Sequence, residues 1–146
     1  MLKLPIKKLH KDATLPTKAY EGDAGWDLYA CEDLSLAPAL GDYDIAEINA
    51  GIAVAIPEGY YGQVMCRSGL GKKGLRVHHG VIDAGYRGPV TIFVQNQGKE
   101  FINIKKGDKA AQLLILPVPD VKLYEVMELP ESERGVKGFG SSDRRK

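Results

Sequence analysis

The chain has 146 residues, 44% hydrophobic and 27% charged, a size and balance that fit one globular domain built on one core. Twenty lysines and arginines against 19 aspartates and glutamates leave a net charge of +1, which argues against a general nucleic-acid or membrane-surface binder. The two cysteines, Cys31 and Cys66, are isolated, with no CxxC and no clustered histidines, so neither a disulfide framework nor a structural zinc site is expected. No apolar run approaches the length of a membrane span. The first residues, with Lys7, Lys8, His10 and Lys11, lack the apolar stretch of a secretory signal, and a reducing cytoplasmic setting is expected.

In chain order, the first notable segment is Ala24-Gly25-Trp26-Asp27-Leu28-Tyr29-Ala30, which embeds an acid in an apolar, strand-like run. Such a carboxylate needs a partner: a cation, several donors or a metal-bound water; a strand-edge Asp with a lysine beside it meets the same need. Ile52, Val54 and Ile56 then alternate with small residues as a strand does, up to the turn signal Pro57-Glu58-Gly59. Arg67-Ser68-Gly69 follows. Ser68 is expected to cap one helical turn, Gly69 to Lys73, with Gly74 just beyond its end. The amides of Gly69 and Leu70, the Ser68 hydroxyl and Arg67 would then form an anion site, and glycine at 69 would let a phosphate approach the backbone. An ordinary capped turn with a surface Arg reads the same way.

Gly80 to Gly88 comes next. Val81 and Ile82 read as strand, and Asp83-Ala84-Gly85 as a tight hairpin reversal with Gly85 at positive φ. Asp83 on that shoulder suits a general base toward water, and Tyr86 suits the flank of a ligand; a turn Asp that only caps amides is the alternative. Val90, Ile92 and Val94 alternate as a strand, and the apolar run 110–118, bounded by Gly107 and Pro117, favours another. Val121, Leu123 and the Glu125-Val126 step continue the short-strand pattern. After Pro130 alternation stops, and Gly138-Phe139-Gly140-Ser141-Ser142 reads as a flexible arm able to close over a base and phosphates. Short strands at regular turn spacing predict an all-β sandwich or barrel over residues 1–130, one helical turn, and a C-terminal arm over 131–146.

Taken together, five segments in order resemble the motifs of the trimeric deoxyuridine triphosphatase family, over almost the whole chain. They are Ala24 to Tyr29, Arg67 to Leu70, Gly80 to Gly88, Gly107 to Leu113 and Arg134 to Ser142. The resemblance implies a jelly-roll-like β fold and a homotrimer with three sites at subunit interfaces. It implies hydrolysis of dUTP to dUMP and pyrophosphate, limiting uracil in DNA and supplying dUMP for thymidylate synthesis. Asp83 would activate the water that attacks the α-phosphorus. Ser68, Gly69 and Gln112 would hold phosphate oxygens beside Arg67. Mg2+ would be held mainly by the triphosphate and waters, with Asp27 orienting one of those waters. Tyr86 would pack under the deoxyribose. The backbone of Gly80, Val81, Ile82 and Asp83, with Val77 before it, would read the uracil edge. Phe139 would stack on the base while Arg134, Gly140 and Ser141 meet the γ-phosphate.

The chain departs from the family pattern at Trp26, at Lys137, at Val77 where some relatives carry Asn, and at His78 and His79, which read as a surface pair. The related dCTP deaminases place a catalytic glutamate where this chain has Phe93, which cannot shuttle a proton. A catalytically silent β module is the other rival, but it would have no need of Asp27, Asp83 and Asp108 together with both arginines.

Overall fold

The computed structural model describes residues 2–39 and 45–138. Its elements are β1 (Ile6–Lys8), β2 (Trp26–Tyr29), β3 (Leu34–Leu36), β4 (Ala46–Val54), β5 (Tyr60–Met65), α1 (Ser68–Lys72), β6 (Leu75–His78), β7 (Val81–Ile82), β8 (Pro89–Asn96), β9 (Ile102–Ile104) and β10 (Lys109–Pro117). The period-two pattern produces these strands directly. Along β8, Val90, Ile92 and Val94 point into the core while Phe93 between them faces out. The apolar run before Pro117 is indeed a strand, and Ala111 and Leu113 of β10 are fully buried.

Two four-stranded antiparallel sheets, β1-β4-β8-β6 and β2-β10-β5-β7, and a β3-β9 ribbon make up the all-β, jelly-roll-like body. Leu28, Val64, Ile82 and Leu113 of one sheet meet Ile52, Val77, Ile92 and Val94 of the other, with Ile102 and Ile104 from the ribbon. Each such side chain stabilises the fold by about 1.5–3 kcal/mol before entropy is counted.

Four expectations need correction. Ser68 opens α1 instead of capping it: Arg67, still extended (φ −85°, ψ 139°), is the cap residue, and its carbonyl already accepts the Gly71 amide at 2.9 Å. Gly74 does end the helix, at φ 96°, and a side chain there would strike the backbone of Gly98. The Asp83 turn is closed by the Tyr86 amide donating to the Asp83 carbonyl at 3.0 Å, but Gly85 is not among the positive-φ glycines. That turn joins two sheets and is no hairpin, because β7 pairs with β5 whereas β8 pairs with β4 and β6. Finally, residues 121–126 form no strand in the single chain. The last ladder ends at Pro117.

Asn96 ties the end of β8 to the ribbon. It is 2% exposed, its Nδ2 donates to the carbonyls of Leu36 (3.0 Å) and Glu100 (2.8 Å), and its Oδ1 accepts the Gly98 amide (2.9 Å). Asn96→Ala leaves those buried groups unpaired and is expected to cost about 2–4 kcal/mol, read from the urea midpoint. Asp33 fastens the β9–β10 turn, accepting from the Lys106 amide (2.8 Å) and Lys105 Nζ (3.2 Å). The Lys106 amide first, then Lys105, hold its carboxyl below the usual 3.8. A lowered folded-state pKa stabilises above the unfolded value and is lost as pH falls through the folded one. The stability difference between wild type and Asp33→Asn should therefore be constant above about pH 5 and vanish in stronger acid, measured by thermal melts across pH.

Candidate active site

Asp27 lies on β2 at a sheet edge, its amide donating to the Thr17 carbonyl at 2.7 Å. Its side chain is 13% exposed, and the partner its apolar setting demands is a pair of cations. Arg67 Nε stands 2.9 Å from Oδ1 and Lys109 Nζ 2.7 Å from Oδ2. Arg67 Nη1 also donates to the Lys109 carbonyl at 3.3 Å, which closes the three residues into one unit. The hydrogen bond to Asp27 raises the Lys109 pKa above its ordinary value.

The β2–β10 register places Gln112 opposite Asp27. Gln112 Nε2 donates to the Cys66 carbonyl at 3.0 Å, and its Oε1 occupies the space that a side chain at Gly25 would fill. Gly25 is thus required by Gln112. The segments around Asp27, Arg67 and Gln112 meet in this way at one end of one sheet. A depression of about 520 Å³ opens beside them, lined in part by Tyr29, Arg67, Gly69, Lys73 and Lys109. The first-turn amides of α1 have no intrahelical partner. Gly69 has open space where a Cβ would stand and no left-handed φ, so neither packing nor backbone geometry calls for glycine there.

A second, smaller cavity of about 190 Å³ lies elsewhere, walled by Gly80, Val81, Ile82 and Tyr86 on one side and Thr91 and Phe93 on the other. Tyr86 is held in place: its hydroxyl donates to the Pro89 carbonyl at 3.1 Å, and its ring lies where a side chain at Gly88 would be. The Asp83 carboxylate is exposed and has no partner among the described residues.

These two cavities share no lining residue, and the register of β5 explains why. Ile82 pairs with Gly62, so Asp83 continues toward the Tyr61 end of β5, whereas Arg67 follows Met65 at the other end. Six residues at about 3.3 Å each separate the two by roughly 20 Å. Within one chain, the depression at Arg67 and the Asp83 turn therefore stand apart.

Val77 lines neither cavity: it is 2% exposed and its side chain packs in the core. Of the histidine pair, His79 is exposed but His78 is half-buried, with a buried Nε2 that has no hydrogen-bond partner. Arg134 is on the surface, donating to the Lys137 carbonyl at 2.9 Å. Phe139, Gly140 and Ser141 lie outside the described residues. Sequence reasoning did not single out Lys109. A β-bulge between Lys109 and Ala111 places it against Asp27, and a bulge has no signature in strand alternation.

For a metal, the described residues offer no group of three or more His, Cys, Asp or Glu side chains. One carboxylate beside an open, cation-lined depression suits Mg2+ that arrives with phosphates and keeps its waters, not a protein cage.

The dUTPase family model matches residues 11–143. Deoxyuridine 5'-triphosphate nucleotidohydrolase of Clostridioides difficile is 41% identical over 145 residues, covering 97% of this chain and 99% of its own length. The enzyme of the same name from Clostridium acetobutylicum is 43% identical, with both chains fully covered. Among solved structures, the Staphylococcus bacteriophage 80alpha dUTPase with dUpNHpp superposes with a TM-score of 0.88 at 35% identity, over 97% of this chain and 99% of that one. A dUTPase from phage phi11 of S. aureus, described for its coordination of a structural Mg(II) ion, gives 0.78 at 31% identity over 87% and 98%. Matched along nearly its whole length by the family model and by relatives above 40% identity, the chain belongs to the dUTPase family.

Proposed function

We propose that the chain is a dUTP diphosphatase that hydrolyses dUTP to dUMP and pyrophosphate, in a homotrimer whose sites are each completed by neighbouring copies. The observation that carries this reading is the placement of two complementary half-sites at opposite ends of β5. One is a cation-lined depression at Arg67, Gly69 and Lys109 that suits a triphosphate; the other is an aromatic-walled cavity beside Asp83 that suits a nucleoside. A second observation supports the assembly. Along residues 118–138, Val121, Leu123 (89% exposed), Tyr124, Met127 (99%) and Leu129 have nothing to pack on in the single chain. Such a run of apolar side chains calls for another subunit's surface. Residues 121–126 then find in a neighbour the strand partner that their alternation requires, and the arm beyond them carries Arg134, Phe139, Gly140 and Ser141 to a site.

Phosphoryl transfer asks the protein mainly for position and charge. Arg67, the Ser68 hydroxyl, the amide of Gly69 and Gln112 hold the phosphates. The backbone of Gly80, Val81 and Ile82 reads the pyrimidine edge, and Tyr86, fixed by Pro89, packs under the sugar. The exposed carboxylate of Asp83 takes a proton from water. The water oxygen bonds to the α-phosphorus, the bond from that phosphorus to its bridging oxygen breaks, and pyrophosphate leaves. Asp27 would orient one water of an Mg2+ held mainly by the triphosphate, and that ion would offset charge on the phosphates. Phe93 on the cavity wall supplies no acid for deamination. Cys31 and Cys66 are both free thiols, which suits the cytoplasm as the place of action.

The test is pyrophosphate release from dUTP, dCTP and dTTP with magnesium, run on wild type and on Asp83→Asn. Wild type should favour dUTP strongly. The variant should lose about 10²-fold or more in kcat while binding of a non-hydrolysable dUTP analogue changes little. A variant turning over near the wild-type rate removes Asp83 from the role of base.

A further inference from the structure

Asp27 is saturated by cations before any ligand arrives. Arg67 occupies Oδ1 and Lys109 occupies Oδ2, at 2.9 and 2.7 Å. Arg67, Lys73 and Lys109 line the depression with one carboxylate, Asp108, which is already committed to its own turn, its Oδ2 accepting the Lys105 amide at 2.9 Å. A free divalent cation approaching this half-site meets an excess of positive charge, whereas a polyphosphate meets an attraction. Of the two cations on Asp27, Arg67 is also tied to the Lys109 carbonyl and sits next to α1, where it serves the phosphates. Among the described residues, the Lys109 ammonium bonds to Asp27 alone.

We propose that Lys109 is a positioning residue that acts as the counter-charge of Asp27, keeping the carboxylate from drawing a divalent cation ahead of the nucleotide, so that metal enters with the triphosphate. The proposal rests on the functional reading above. Without Lys109 the cationic surplus shrinks, and Oδ2 of Asp27 loses its side-chain partner. Magnesium bound early to Asp27 would lie where the phosphates must settle and would hold the carboxylate away from the geometry that Arg67 imposes. Lys109 therefore sets the order of binding, although it touches no reacting atom.

Mn2+ is the probe, titrated into the full-length protein without nucleotide and followed by the loss of the free-ion electron paramagnetic resonance signal. Wild type and Lys109→Arg should show no tight site. Lys109→Met and Lys109→Gln should each bind Mn2+ at least about tenfold more tightly than wild type, by analogy with the one-to-three-unit effect of a neighbouring charge on an acid. Asp27→Asn added to Lys109→Met should abolish the gain. In parallel, a non-hydrolysable dUTP analogue titrated in EDTA should bind the Lys109→Met protein about tenfold more weakly than wild type. Equal Mn2+ binding by wild type and both neutral variants, or a gain that survives Asp27→Asn, overturns the proposal. Thermal melts confirm that each variant is folded. Failure to hydrolyse dUTP would remove the functional reading while leaving the Mn2+ comparison valid, so the two failures are told apart.

Discussion

β5 runs antiparallel to β7 on one side and to β10 on the other, with Ile82 opposite Gly62 and Gln112 opposite Met65, and these pairings fix where chemistry can take place. Because strands rise about 3.3 Å per residue, the register that brings Gln112, Asp27 and Arg67 together also sends Asp83 to the far end of the same strand. A slip of one residue would turn Val64 out of the core, so the buried face holds the register firmly. The distance between Asp83 and the depression at Arg67 is a property of the folded sheet, and under the proposed function it makes association of chains part of the active site.

Electrostatics at the cradle follow from the same frame. An acid in an apolar strand is unfavourable without partners, and the fold supplies two, one from the end of β5 and one from a bulge at the start of β10. The result is a half-site with a cationic surplus and one fixed carboxylate, a composition suited to a polyanion that brings its own metal. The other half-site is built differently: a ring held by a backbone carbonyl, glycines at Gly80 and Gly88, and one unpartnered carboxylate exposed to water.

Much of the fold was legible because β-branched alternation and turn residues carry direct physical meaning. Val90, Ile92 and Val94 announced β8, and Pro117 and Gly107 bracketed β10. The need of Asp27 for a partner was also legible, and so was the helical turn after Arg67. The capping residue was not, because whether Ser68 stands inside or outside the helix depends on how far β5 continues before it bends. The hairpin expected at Asp83 failed for a tertiary reason: Val81 and Ile82 have the local pattern of a hairpin arm but pair with β5, so the boundary between the two sheets falls at the turn before β8. Lys109 escaped notice because a bulge breaks the alternation that would have assigned its face. The apolar alternation of 121–126 was real, yet these residues form no strand in the single chain, where their apolar side chains lie exposed.

Subunit mixing tests most directly whether neighbouring copies complete each site. Gly69→Asp, at a position with open space, should fold and repel phosphates; Asp83→Asn should fold and lack the base; each alone should be nearly inactive. Chains of the two kinds, denatured together and refolded in equal amounts, should recover about one quarter of the wild-type rate, because one site in four then pairs an intact cradle with an intact Asp83 from a neighbour. Mixtures no more active than their parents would mean that each site is built within one chain, and the account would fail.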